Sequence, residues 1–166
     1  MIINKEILQI GNPILRKIAT EISDIDNPQI QTLIDDLILI TKKNYGVGIA
    51  APQIGKSCRL MIIASYPNIR YPDAPLMQPM AMINPRIINH SEEVVEAMEG
   101  CLSVKQKRGR VTRYRDITVE YLTRNGDYQR KEYNNFVARI IQHELDHLNG
   151  ILFVDHVQDE LINSEV

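Results

Sequence analysis

The sequence predicts one domain of mixed helix and strand, and three observations carry that expectation. An amphipathic helical period runs from Asp26-Asn27-Pro28 to Lys42-Lys43, and a second runs from Phe136 to Leu148. Between them lie short apolar runs punctuated by Gly, Pro and Asn, which is the pattern of strands. Asn125-Gly126 has an alternating run on either side and reads as a β-hairpin turn. A chain of 166 residues suits a single domain, 1–166, with a sizeable core. Hydrophobic residues make up 44% and charged ones 24%, as in ordinary globular chains. The net charge of −2 argues against bulk attraction to DNA or to an anionic membrane surface. No apolar run is long enough for a transmembrane helix. Lys5, Glu6, Arg16 and Lys17 interrupt any signal-peptide core, so the expected compartment is the cytoplasm and Cys58 and Cys101 are expected as reduced thiols.

In chain order, Ile2 to Gly11 reads as an extended lead-in, and Asn12-Pro13 as a helix start with Leu15 and Ile18 facing inward. Asp26-Asn27-Pro28 is a stronger start, and Ile30, Leu33, Ile34, Leu37 and Ile38 follow it at helical spacing. Gly46-Val47-Gly48-Ile49-Ala50-Ala51-Pro52-Gln53 is a run of small residues whose glycines and proline oppose a regular helix. It is either a tight core loop or a place where backbone approaches a ligand; it lacks the lysine and hydroxyl of a phosphate loop. Arg59 to Ala64 reads as a buried strand and Ser65 to Pro79 as a proline-broken loop. Ala81–Ile83 and Ile87–Asn89 read as two short strand pieces around Asn84-Pro85, and Glu92 to Ala97 as another strand. In Glu99-Gly100-Cys101-Leu102-Ser103 the cysteine is a core thiol, a nucleophile or a metal ligand. Lys105 to Arg115 is strongly basic and reads first as a solvated hairpin or loop, with a nucleic-acid or ribosome contact as the second reading. Ile117 to Thr123 and Asp127 to Tyr133 form the Asn-Gly hairpin, which feeds into the last helix.

That helix carries Gln142-His143-Glu144-Leu145-Asp146-His147-Leu148-Asn149-Gly150. Histidines four apart on a helix share one face and can both aim a nitrogen at one metal ion. Phe136, Ile140, His143 and His147 make one stripe, so the imidazoles lie on an apolar side that a solvated helix would not need. Glu144 flanks the stripe, placed to accept a proton from water without being a ligand. Asn134 or Asn135 suits the start of this helix and Gly150 the residue past its end. A catalytic metal usually takes three protein ligands, so a third is wanted elsewhere in the chain.

The stretches Gly46–Gln53, Glu99–Ser103 and Gln142–His147 together resemble, in order and spacing, the three motifs of peptide deformylases. The resemblance extends over about residues 5 to 157. It implies an α+β fold with mixed and antiparallel sheets around a central metal-binding helix. It implies removal of the formyl group from the N-terminal formylmethionine of newly made polypeptides, with release of formate. Carried over by matching positions, Cys101, His143 and His147 would hold one divalent metal, typically Fe2+, with Ni2+, Co2+ or Zn2+ able to substitute. Glu144 would be the general acid/base, and Gln53 with the backbone N–H of Leu102 would stabilise the oxyanion. Gly46, Gly48, Phe136, Arg139 and Ile140 are expected to flank the substrate methionine. The expected partners are N-formylmethionyl nascent peptides, with a possible ribosome contact, no DNA and no membrane, and the oligomeric state is left open. Two departures stand out: Lys105 where the family often has proline, and Val111-Thr112-Arg113 for a common V-P-R. A small H-E-x-x-H metallopeptidase and a catalytically silent deformylase-like binding protein are the competing readings.

Overall fold

In the computed structural model, which describes residues 5–165, Asn27 opens the first helix by accepting a hydrogen bond from the Gln29 N–H at 2.9 Å. Pro28 fills the first helical position, where a missing N–H costs nothing, and α1 (Pro28–Lys43) follows. Its buried Leu33, Ile34, Leu37 and Ile40 pack against Ile49, Leu60, Ile62 and Ile83. Upstream, Asn12 caps only a single 3-10 turn, Pro13–Arg16. Leu15 is buried as expected, but Ile18 is 73% exposed. The turn ends at Arg16 and the chain leaves extended through Lys17, so helical spacing no longer applies at Ile18. The expected lead-in is described only from residue 5; its first residues lie outside the described range.

The strands are β1 (Gly48–Ala50), β2 (Leu60–Ile63), β3 (Met80–His90), β4 (Val94–Cys101), β5 (Val104–Tyr114), β6 (Asp116–Leu122), β7 (Tyr128–Asn134) and β8 (Ile162–Asn163). They form a five-stranded sheet in the order β1-β2-β3-β6-β7 and a three-stranded sheet in the order β4-β5-β8. Neighbouring strands in both sheets are antiparallel, and a parallel bridge joins Thr20 to Cys58.

The two expected pieces around Asn84-Pro85 are one strand, β3. Its register with β6 shifts between Ile83 and Arg86, and Asn84 sits in that bulge at φ 49°. The Asn84 amide accepts from Ile22 N–H and donates to Ile22 C=O, both at 2.9 Å, so the irregular backbone is held from the side.

The basic run is a strand, β5, of the β4–β5 hairpin, so the hairpin form of the first reading holds, but Arg113 is buried and most of the basic residues have partners. Lys107 reaches Asn163 at 2.6 Å, Arg110 pairs with Glu96 at 3.2 Å and Arg115 with Glu93 at 2.6 Å. Arg108 lies over the Tyr71 ring, 5.0 Å from its centroid, and Arg113 is buried between two carboxylates.

The second helix, α2 (Asn135–Leu148), holds both sheets together. Ala138, Ile140, Ile141, Leu145 and Leu148 pack against Met61, Ile63, Met82, Val119 and Tyr121. Asn134 stands before the helix without a side-chain capping bond, and Asn135 takes φ 49°, a conformation Asn tolerates better than most residues. The far end closes as a Schellman motif: Ile151 N–H donates to Asp146 C=O at 2.9 Å and Gly150 N–H to His147 C=O at 3.2 Å. Gly150 has φ 75°, and a Cβ there would lie 2.5 Å from the Arg16 carbonyl oxygen. The fold is therefore α+β, with α2 at its centre. No helix among the described residues is long and apolar enough to cross a membrane.

Candidate active site

The cleft lies where α2, β1 and the end of β4 meet. Alternation along β4 puts Glu99 and Cys101 on one face of the strand, and that face looks toward α2. The donor atoms of Cys101, His143 and His147 all lie within 4.8 Å of one another, and Cys101 Sγ is 3.3 Å from His147 Nε2. Ligand atoms around one tetrahedral ion at bond lengths of about 2.0–2.3 Å stand roughly 3.3–3.7 Å apart, so this set fits one metal ion. Its chemistry fits as well, since a thiolate and two imidazoles suit a borderline divalent metal. Burial pushes His147 well below its ordinary pKa, which keeps the imidazole neutral and its lone pair available.

His143 is turned by its other nitrogen. Its Nδ1 bonds Glu99 Oε1 at 2.9 Å, and its side chain is 11% exposed. Burial opposes a charged His143, but its hydrogen bonds with Cys101 and Glu99 outweigh that and raise it well above the usual range. The Glu99 carboxyl is itself buried, which favours its neutral form, yet His143 and Arg113 hold it far below the usual carboxylate range. Arg113 grips it with two bonds, Nη2 to Oε1 at 2.9 Å and Nε to Oε2 at 3.0 Å, and Arg139 Nη1 adds a third at 2.6 Å. Arg113 also reaches Asp146 at 2.5 Å, and His156 meets the same oxygen at 2.8 Å. Arg139 further donates to the carbonyls of Val111 and Val95, which ties α2 to both strands of the β4–β5 hairpin.

Glu144 faces the cleft from the helix beside His143. Its Oε2 is buried and has no hydrogen-bond partner among the described residues, and burial pushes its carboxyl up to about 7 against the pull of His143. Gly48 on β1 lies against it: a Cβ there would be 2.7 Å from Ile140 Cγ2 and 2.8 Å from Glu144 Oε1. Gln53 is fixed by Ala50 N–H donating to Oε1 at 2.9 Å, while Nε2 donates to Ser103 Oγ at 3.0 Å and approaches Cys101 Sγ at 3.7 Å. An amide nitrogen carries two hydrogens, so with one on Ser103 the other is directed at the Cys101 sulfur, on the wall of the cleft.

The structure brings Gly46, Gly48, Gln53, Cys101, Leu102, Phe136, Arg139, Ile140, His143 and Glu144 to the wall of one cleft, and the buried His147 stands beside Cys101. Arg139 contributes its stem, because its guanidinium is committed to Glu99. Sequence reasoning missed the far wall, Arg70, Tyr71 and Met98. Tyr71 meets Phe136 with ring centroids 5.6 Å apart, so the proline-broken 65–79 segment folds down onto α2. It also missed the role of Glu99, although strand alternation with Cys101 is a signal that could have found it.

The sequence model of the polypeptide deformylase family matches residues 4–161. The chain belongs to that family. It is 55% identical over 155 residues to "Peptide deformylase 2" of Nostoc sp., covering 93% of this chain and 87% of the relative. It is 42% identical to the "Peptide deformylase 2" of Shewanella oneidensis, covering 90% and 82%. Among solved structures it is similar to the Met-Ala-Ser-bound class I type b peptide deformylase of Acinetobacter baumannii, with TM-score 0.89 and 44% identity over 91% of this chain and 96% of that one. The Thermotoga maritima peptide deformylase matches with TM-score 0.83 and 33% identity over 93% and 98%. A deformylase fold thus accounts for nearly all of the described chain.

Proposed function

We propose that this chain is a single catalytic domain that removes the formyl group from N-terminal formylmethionine of newly made polypeptides and releases formate. The observation that carries the reading is the unpartnered, buried Glu144 Oε2 beside the convergent Cys101, His143 and His147 donors. In this reading those three residues hold one divalent ion, Fe2+ by family resemblance, with Ni2+, Co2+ or Zn2+ as substitutes. Such an ion, when bound, polarises the formyl oxygen and lowers the pKa of water. Glu144 takes the proton of the attacking water as its oxygen bonds to the formyl carbon. A carboxyl raised to about 7 by burial is matched to that task near neutral pH. Gln53 Nε2 and the Leu102 backbone N–H receive the oxygen that becomes negative. As the C–N bond breaks, Glu144 returns its proton to the amine nitrogen, leaving formate and a free amino terminus.

Gly46, Gly48, Phe136, Ile140 and the stem of Arg139 flank the methionine side chain, an unbranched thioether that adapts to an irregular apolar wall. The absence of a Cβ at Gly48 lets β1 pack directly on Ile140 and Glu144, which keeps the wall beside Glu144 close. Translation supplies the substrate, so the cytoplasm is the proposed compartment.

The test is anaerobic purification, loading with ferrous iron, nickel or zinc in turn, and assay of formyl-Met, acetyl-Met and unblocked peptides of otherwise identical sequence. Formate and a free amino terminus are expected from the first, with a preference over acetyl of at least ~100-fold, since a clash in a closed site costs several kcal/mol. Comparable acetyl removal, or internal cleavage without formate, would favour a metallopeptidase instead.

A further inference from the structure

Beyond Cys101 and Leu102 the cleft opens into a second groove lined by Lys43, Arg70, Lys105 and Lys107. Arg70, Cys101 and Leu102 line both, so the two spaces adjoin. Glu6 is the acid on the groove's wall, and Lys5, which also lines it, is paired with Asp36 at 2.6 Å. Lys43 and Lys105 are exposed and their side chains have no ion pair or hydrogen bond among the described residues. Elsewhere on β5 the basic residues have partners, which makes Lys105 the one left available to a ligand. We propose that this groove is a cationic subsite selecting formyl-Met peptides with an acidic side chain at one of the two residues after the methionine. The inference rests on the deformylase reading.

The distances suit those two positions. Val104 is the Cα partner of Cys101 across the hairpin, and Lys105 is the next residue. Opposed Cα atoms stand about 4.5–5.5 Å apart and consecutive ones about 3.8 Å. An extended peptide advances about 3.3 Å per residue. A peptide with its first residue against Cys101 that runs into this groove brings its second or third side chain within reach of the long Lys105 stem. Lys43 and Lys107 flank the same groove, and cations along one concave surface reinforce each other's potential.

The metal-loaded enzyme is assayed on formyl-Met peptides carrying Asp, Ser or Lys at the second or the third residue, at low and high salt. The Lys43→Gln/Lys105→Gln double variant is assayed beside it. Asp is expected to exceed Lys by at least ~5-fold in kcat/KM at one of the positions, a ratio falling toward unity at about 0.5 M salt as screening shortens the field. The ratio should also collapse in the double variant, whose rate on the all-serine peptide stays that of wild type. No acidic preference at either position, or a preference that survives in the double variant, overturns the proposal. So does a charge-blind wild type whose double variant instead loses affinity for an RNA duplex, which would make the groove a nucleic-acid surface. Failure of wild type on the neutral peptide overturns the deformylase reading itself and is distinguishable from all of these.

Discussion

Glu99 Oε1 and His143 Nδ1 are hydrogen-bonded at 2.9 Å, so the strand that carries Cys101 also orients an imidazole on the helix facing it. The same carboxylate is gripped by Arg113 and Arg139, and nothing else in the cleft fixes so many groups at once. Glu99→Gln keeps the shape and removes the charge. It should weaken metal retention by roughly 10- to 100-fold, because the partner that sets ring orientation and basicity is lost. It should also lower the melting temperature, since buried Arg139 loses its counter-charge while Arg113 keeps only Asp146, a loss on the order of 3–5 kcal/mol. Chelator competition with parallel thermal melts reads both effects. Wild-type metal retention would remove Glu99 from the positioning role.

Glu144 makes a different prediction, because its carboxyl lies outside the Cys101, His143 and His147 donor group. Glu144→Gln should leave metal content and fold close to wild type while turnover drops by about two orders of magnitude or more. Metal analysis and steady-state rates on one preparation suffice. Loss of the metal on this substitution would make Glu144 a ligand.

Cys101 and Cys58 are both free thiols, but only Cys101 lies within reach of two imidazoles. Cys101→Ala should bind metal far less well, and the iron-loaded wild type should lose activity in air or peroxide. Cys58 is half-buried with its thiol pushed up by burial, so it is a poor thiolate and Cys58→Ser should not protect. Full protection by that change would move the sensitive sulfur away from the metal site.

The helix bearing the histidines was legible because period, apolar stripe and closing glycine agree, and Gly150 ends it in the left-handed conformation that its position demands. Arg113 was half legible: it follows Val111 at strand spacing, and both face inward. An inward arginine announces a buried acid without saying which one. Ile18 went wrong where a helix start yielded only one 3-10 turn, and the bulge at Asn84 was read as a break between strands. Tyr71 was out of reach, since the 65–79 segment has no period and its place is set by a ring contact to Phe136, far along the chain.

Gly48 gives the sharpest steric prediction. A methyl at this position meets Ile140 Cγ2 at 2.7 Å and Glu144 Oε1 at 2.8 Å, closer than real Cβ contacts allow. At Gly46 the nearest atoms are Leu102 Cδ1 at 3.1 Å and Thr41 Cγ2 at 3.2 Å, side-chain ends that give way more readily. Relief at Gly48 has to come from α2 or from the Glu144 carboxyl, the group assigned the proton. Gly48→Ala should therefore cut kcat by at least ~100-fold, because displacement of a catalytic group by about 1 Å costs that much. It should also lower stability by roughly 1–3 kcal/mol through overpacking. Gly46→Ala should cost less than about 10-fold, expressed mainly in KM, since Leu102 and Thr41 shift while Glu144 stays in place. The measurement is kcat and KM for both variants on one formyl-Met peptide, with denaturant melts alongside. Equal losses at the two glycines would mean that β1 does not press on the Glu144 side of the cleft.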